Sequence, residues 1–151
     1  MGQSTDAQIC YGIQVEDDAE LPWDEYDGDI EEWWLHKVCG YTNPFEMFDD
    51  NGNWIGRKEF PQDKQDEYFQ SRREFEATHP LPILLVRHCS GDYPMYIVAL
   101  ESTYLMARRG YPRELELNFY DGNDDTLVEF CREFNIPTVG KTAWWLTSMW
   151  W

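Results

Sequence analysis

The segment Ile83-Leu84-Leu85-Val86-Arg87-His88-Cys89-Ser90-Gly91-Asp92-Tyr93-Pro94-Met95-Tyr96-Ile97-Val98-Ala99-Leu100 carries the clearest hydrophobic signal in the chain. Two apolar runs flank a Ser90-Gly91-Asp92-Tyr93-Pro94 turn, which predicts a β-hairpin with central-strand character. A hairpin of this kind needs partners on its edges and cover on its faces. Gln8 to Val15 offers one partner, because Ile9, Tyr11, Ile13 and Val15 alternate with Gln8, Cys10, Gly12 and Gln14. Leu115 and Leu117, alternating with Glu114, Glu116 and Asn118, offer another, and Ala143 to Trp151 reads as a last strand.

Helical signals lie between these strands. Asp29, with Glu32 three residues on, predicts a capped start for a helix over Ile30–Cys39, with Ile30, Trp33, Trp34 and Val38 inward and Gly40 as its stop. Pro61 opens a polar helix to about Thr78, its inner side marked by Tyr68, Phe69, Arg72 and Phe75, and His79-Pro80 ends it. Asp124 caps a third helix through Asn135, with Leu127, Phe130, Cys131 and Phe134 at helical spacing. Asp50-Asn51-Gly52-Asn53 predicts a short hairpin between Phe45 and Ile55. The expected fold class is α+β: a central, largely antiparallel sheet with about three helices in a single compact domain over 1–151.

Composition narrows the function classes. The 151 residues carry 29 Asp and Glu against 12 Lys and Arg, a formal charge of −17. Such a chain is repelled by nucleic acid and by anionic membranes, so neither is expected as a direct partner. Eight Trp and nine Tyr argue for a folded core rather than a disordered acidic chain. The N-terminal residues show no basic-then-apolar leader, and no run approaches a membrane span, so the expected compartment is the cytoplasm. Cys10, Cys39, Cys89 and Cys131 are widely spaced and read as reduced thiols.

The acidity is local. Residues 1–50 hold fourteen acids and one base, and 16–32 holds ten acids and no base: Glu16, Asp17, Asp18, Glu20, Asp24, Glu25, Asp27, Asp29, Glu31 and Glu32. As a helix this run would carry about one charge per 2.6 Å, and extended about one per 5.6 Å. Duplex DNA carries about one per 1.7 Å of axis. Trp23 and Tyr26 interleave with these acids, a pattern resembling aromatic anchors inside a charged rim. Those twelve residues are the expected partner-binding set.

EF-hand register fails at both Gly28 and Gly52. His36-x-x-Cys39 has helical ligand spacing, and His88-Cys89 would be needed to complete a zinc site, but adjacent strand residues point to opposite faces. No metal and no cofactor are therefore expected. Cys89 beside His88 is the best nucleophile the chain offers, with a carboxylate pair as the other route to catalysis. Arg108-Arg109-Gly110-Tyr111-Pro112-Arg113 is the one basic island, expected to pair with the protein's own N-terminal acids, with a bidentate grip on a phosphate or carboxylate as the other reading. Trp144, Trp145, Trp150 and Trp151 suggest a homodimer contact if one face stays uncovered.

Several segments resemble small uncharacterised phage and prophage proteins: Ser4-Thr5-Asp6-Ala7-Gln8-Ile9-Cys10-Tyr11-Gly12-Ile13, Asp29-Ile30-Glu31-Glu32-Trp33-Trp34-Leu35, Cys89-Ser90-Gly91-Asp92-Tyr93-Pro94-Met95-Tyr96, Ala107-Arg108-Arg109-Gly110-Tyr111-Pro112 and Ala143-Trp144-Trp145-Leu146. The resemblance reaches no family of known function, so it assigns no residue a role. It implies a setting in which small acidic proteins inhibit host defence or transcription machinery, some by resembling DNA. The leading expectation is therefore a non-enzymatic, DNA-mimic-like inhibitor, of anti-CRISPR or anti-restriction type, that covers a basic nucleic-acid-binding surface of a host protein. The alternatives are a small enzyme using Cys89 and His88 or paired carboxylates, and a virion or structural protein that self-associates through its Trp-rich end.

Overall fold

A computed structural model describes residues 5–43, 45–59, 61–115 and 124–150. The fold class is α+β, with three α-helices, a five-stranded sheet and a two-stranded sheet among the described residues. The chain divides into two compact units: residues up to Ala19 together with those from Pro82 onward, and Glu20–Leu81.

The first unit holds β1 (Thr5–Val15), β4 (Leu84–Ser90), β5 (Pro94–Ala99), β6 (Leu105–Ala107), β7 (Thr138–Trp150) and α3 (Asp125–Glu133). Strand order is β5-β4-β7-β1-β6, and β5 also pairs with β1, so β1, β5, β4 and β7 form a closed circuit of pairings. The predicted hairpin is present, with Leu84 opposite Ala99 and Cys89 opposite Pro94. All pairings are antiparallel except β4 with β7, which run parallel at Cys89–Met149 and Ser90–Trp150. The sheet is thus mixed, and a single parallel contact closes the circuit.

β1 serves two neighbours on one edge. Ala7 to Ile9 pair with β6, whereas Gly12 to Gln14 pair with β5. The switch coincides with a bulge against β7 between Gly12 and Gln14. A bulge inserts one unpaired residue and turns the following side chains to the other face. Accordingly Gln8, Cys10 and Gly12 are buried before it, and Ile13 and Val15 after it. Gly12 is required by proximity: a Cβ there would stand 2.5 Å from the Val98 carbonyl oxygen and 2.7 Å from Ile97 Cγ2. The core here gathers Cys10, Val86, Ile97 and Ala99, flanked by Leu84, Tyr104 and Trp145.

α3 buries Leu127, Phe130 and Cys131 at the predicted spacing. Its expected side-chain cap is not made. Asp124 instead accepts hydrogen bonds from Tyr11 Oη on β1 (2.6 Å) and Thr142 Oγ1 on β7 (2.8 Å), tying the helix start to two strands. The last strand begins at Thr138 rather than Ala143, and β6 was not anticipated. The expected strand around Leu117 lies outside the described residues, apart from Glu114 and Leu115, which are in no strand.

The second unit holds a 3-10 turn (Asp24–Tyr26), α1 (Ile30–Trp33), a π-helical turn (Trp34–Val38), β2 (Glu46–Phe48), β3 (Trp54–Arg57) and α2 (Gln62–Thr78). Asp29 caps α1 as expected, accepting from the backbone N–H groups of Glu31 and Glu32. The helix then widens, with Cys39 N–H donating to Trp34 O at 2.9 Å, five residues back. The β2–β3 hairpin forms where the turn residues predict it, with Asp49 Oδ1 accepting from Asn51 and Asn53 N–H. α2 runs from Gln62 to Thr78 and buries Tyr68, whereas Phe69, expected inward, is 41% exposed.

Candidate functional site

The acidic segment is neither one continuous helix nor an extended strand, so its charges form no regular ladder. Glu16, Asp17 and Asp18 belong to the first unit, and Glu20 onward to the second. Within the second unit the segment folds as successive turns, with Tyr26 N–H bonded to Trp23 O and Asp29 N–H to Tyr26 O. Asp27 (φ 54°) and Gly28 (φ 80°) both take left-handed backbone to make the reversal. These turns send Leu21, Trp23, Tyr26 and Ile30 inward and Glu20, Asp24, Glu25, Asp27, Asp29 and Glu31 outward.

The expectation for Trp23 and Tyr26 is corrected by this geometry. At 1% and 2% exposure they are interior residues and offer no ring to a partner. Trp23 packs edge-on against Trp33, with centroids 5.6 Å apart, and Tyr26 stacks on His36 at 6.4 Å. Large apolar surface gains more from burial than a charged rim gains from exposed anchors. Among the described residues, the outward acids have one cationic partner, Lys37 Nζ, 3.5 Å from Glu25 Oε1.

Glu32 differs from the other nine. Its side chain is 12% exposed and enters an ionic cluster built from five elements of the second unit. Arg72 of α2 donates Nη2 to Glu32 Oε1 at 2.7 Å and Nη1 to Glu32 Oε2 at 3.2 Å, a bidentate pair. Arg72 Nε also donates to Glu76 Oε1 at 2.7 Å, and Arg57 Nη2 of β3 lies 3.3 Å from Glu32 Oε1. Glu46 of β2, its side chain fully buried, receives Tyr68 Oη on Oε1 at 2.9 Å, with Arg72 Nη1 3.6 Å from the same oxygen.

His36 completes the cluster from the π-helical turn. Tyr26, Tyr41 and Phe48 surround its ring, and Nδ1 donates to the Tyr41 carbonyl at 2.8 Å. A carbonyl only accepts, so Nδ1 carries a proton and Nε2 is left to face the carboxylates. It stands 3.3 Å from Glu32 Oε2 and 3.1 Å from Glu46 Oε2, with neither oxygen in hydrogen-bond alignment. The electrostatics follow from this packing. Burial alone would push Glu32 up, but His36, Arg72 and Arg57 bring it down to about 2. Burial alone would push His36 down, but Glu32, the Tyr41 carbonyl and the charge of Glu46 outweigh it and hold it above its ordinary value. Arg72 is likewise raised: burial works against its charge, and bonds to Glu32, Glu76 and Tyr68 prevail.

The structure thus brings His36 together with Glu32 and Glu46 rather than with a cysteine. Among the described residues, this trio is the one His/Cys/Asp/Glu group of three or more close enough to hold a metal ion, its ligand atoms all within 4.8 Å of one another. Sequence reasoning did not single out Glu46 or Arg57. One signal was available: Arg72 falls on the inner side of α2 with Tyr68 and Phe75, and an inward arginine requires buried acids to meet it.

The remaining candidates separate. Cys89 is exposed with φ 74°, whereas His88 Nε2 is buried without a hydrogen-bond partner, so the two side chains do not converge. Burial pushes His88 below its ordinary value, opposed by the charge of Asp17. Cys10 and Cys131 are buried, and their thiols are pushed up to about 12 and about 11 by that burial. From the basic island, the Arg109 backbone N–H donates to Asp6 Oδ1 at 3.1 Å. On β7, Trp144, Leu146 and Trp150 are exposed, while Trp145 turns inward and donates Nε1 to Gly12 O at 3.0 Å. Among the described residues no helix is long and apolar enough to cross a membrane. No family model, curated protein or solved structure matches this chain.

Proposed function

We propose that the protein is an acidic, protein-directed inhibitor that covers a basic, nucleic-acid-binding surface on a host protein, in the manner of a DNA mimic. One observation carries the reading: Glu20, Asp24, Glu25, Asp27, Asp29 and Glu31 all point outward, and Lys37 is their single cationic partner among the described residues. Like-signed carboxylates repel one another in the free protein, and a cationic partner relieves that repulsion. Glu16, Asp17 and Asp18, also exposed, extend the acidic set along the chain. The contact is electrostatic rather than aromatic, so association is fast at low salt and weakens as salt screens it.

The test is affinity capture from a bacterial host lysate at low and high salt, with wild type and with Asp24, Glu25, Asp27 and Glu31 all changed to Lys. A basic, nucleic-acid-binding protein retained by wild type and released by DNA supports the reading. The same protein retained equally by the reversed variant overturns it.

The stripe Trp144, Leu146 and Trp150 on β7 favours a second reading, self-association through that face. Light scattering over a concentration series decides it, since a strict monomer leaves that face without this role.

A further inference from the structure

We propose that Glu32, His36 and Glu46 form a binding site for a divalent transition cation of the zinc type, with Glu32 Oε2, His36 Nε2 and Glu46 Oε2 as ligand atoms. The His36 Nδ1–H is committed to the Tyr41 carbonyl, the arrangement that fixes ring orientation and presents Nε2 in metal-binding histidines. Nε2 then faces two carboxylate oxygens at 3.1 and 3.3 Å. A bare lone pair there would be repelled by both oxygens, so the point they share calls for positive charge. In the metal-free protein a proton on Nε2 supplies it, at ion-pair distance from both oxygens though aligned with neither, and a cation at the shared point would take that proton's place.

The distances suit a metal. Ligand atoms 2.0–2.2 Å from a tetrahedral zinc stand about 3.4 Å from one another. Both separations from His36 Nε2 are close to that edge length, and the two carboxylates, whose ligand atoms lie within 4.8 Å of one another, close toward it to complete three corners. The donor set of one imidazole and two carboxylates suits zinc and its neighbours, and three protein ligands leave a fourth position for water.

The surroundings supply the supporting contacts that metal sites use. Arg72 and Arg57 hold Glu32, and Tyr68 holds Glu46 through Oε1, which leaves Glu46 Oε2 buried and without a hydrogen-bond partner. Tyr26, Tyr41 and Phe48 fix the imidazole and keep water from its faces. The π-helical turn that carries His36 is a feature that recurs at functional sites. The site is distinct from the outward acids, and either proposal can fail alone.

The test uses the full chain, stripped with a chelator and titrated with Zn²⁺ by calorimetry, while imidazole nitrogens are followed by long-range ¹H–¹⁵N correlation. A Cys39→Ser/Cys89→Ser variant removes the two least buried thiols as competing ligands. The expected result is one Zn²⁺ per chain, retained in the thiol variant and weakened about 100-fold or more in Glu46→Gln. The His36 Nε2 resonance should shift on zinc addition while Nδ1 keeps its proton. Should Glu46→Gln fail to fold, the wild-type His36 resonance decides alone. Absence of binding, binding lost with the thiols, or an unmoved Nε2 resonance would overturn the proposal.

Discussion

Arg72 and Glu32 meet in a bidentate pair, 2.7 Å at its closer contact, with side chains only 13% and 12% exposed. Forty residues separate them in sequence. Arg72 also reaches Glu46 and Glu76, so one guanidinium balances three carboxylates between α2, α1 and β2. Replacing it leaves acids uncompensated in a poorly solvated place. Arg72→Met should cost about 3–5 kcal/mol of stability, the usual penalty for breaking a buried ion pair from one side. Adding Glu32→Leu should recover part of that loss, because the stranded charge is removed with its partner. Urea unfolding of the single and double variants measures both, and a single variant within 1 kcal/mol of wild type would show that the cluster does not hold this unit together.

Gly12 makes a second prediction, in the other unit. A methyl group there meets the Val98 carbonyl, which is backbone and cannot rotate away. Gly12→Ala should destabilise by about 1–3 kcal/mol through overpacking. Amide exchange should rise in β5 at Ile97 to Ala99, which pair with β1 at this point, more than at Thr5 to Ile9, which pair with β7 and β6.

His88 sets a pH dependence whose sign is fixed by burial. Its folded value lies below the ordinary one, with Asp17 opposing the shift only in part. The neutral ring is therefore the folded form, and the unfolded chain binds the proton first as pH falls. This group's contribution is fully present above the unfolded value, about 6.5, and is lost as pH drops from there through the folded value. The imidazole C–H resonances of His88 should titrate with a midpoint below 6.5. A midpoint at or above that value contradicts the burial argument, and His88→Gln should flatten the stability slope in this range.

Much of the architecture was legible because it is local. The hairpin at 83–100 announces itself by two apolar runs around a Gly-Asp turn, and Asp29 marks its helix start by a bond reaching only two and three residues ahead. The phase of β1 is legible at Ile13 and Val15 but not before them, where Gln8 and Cys10 rather than Ile9 and Tyr11 are buried, because the bulge at Gly12 reverses it and depends on β5 and β7. Asp124 stands at a cap position in the sequence, yet its oxygens go to Tyr11 and Thr142, partners set by the sheet. The ionic cluster was hidden for the same reason. Glu32 and His36 are one turn apart and visible as a pair, but Glu46, Arg57 and Arg72 arrive from three other elements. The aromatic residues among the acids misled by proximity in sequence: alternation of Trp and Asp along a chain does not say which of them faces water.

That last point yields a prediction separating fold from function. Trp23 is 1% exposed and packs on Trp33, so Trp23→Ala should cost about 3–5 kcal/mol. Any loss of partner binding in that variant should track its unfolded fraction and be restored by conditions that stabilise the fold. Asp24, Asp27 and Glu31 are exposed and in no ion pair among the described residues. Asp27→Lys and Glu31→Lys should therefore leave thermal stability nearly unchanged while weakening binding to a cationic partner and flattening its salt dependence. Asp24→Lys should cost slightly more, because its Oδ2 accepts the Leu21 N–H at 2.7 Å. Measuring binding and unfolding on the same four variants distinguishes the two roles. If Trp23→Ala lost binding while fully folded, aromatic contact would be restored to the recognition surface; if the charge reversals left binding intact, electrostatic recognition by these turns would be excluded.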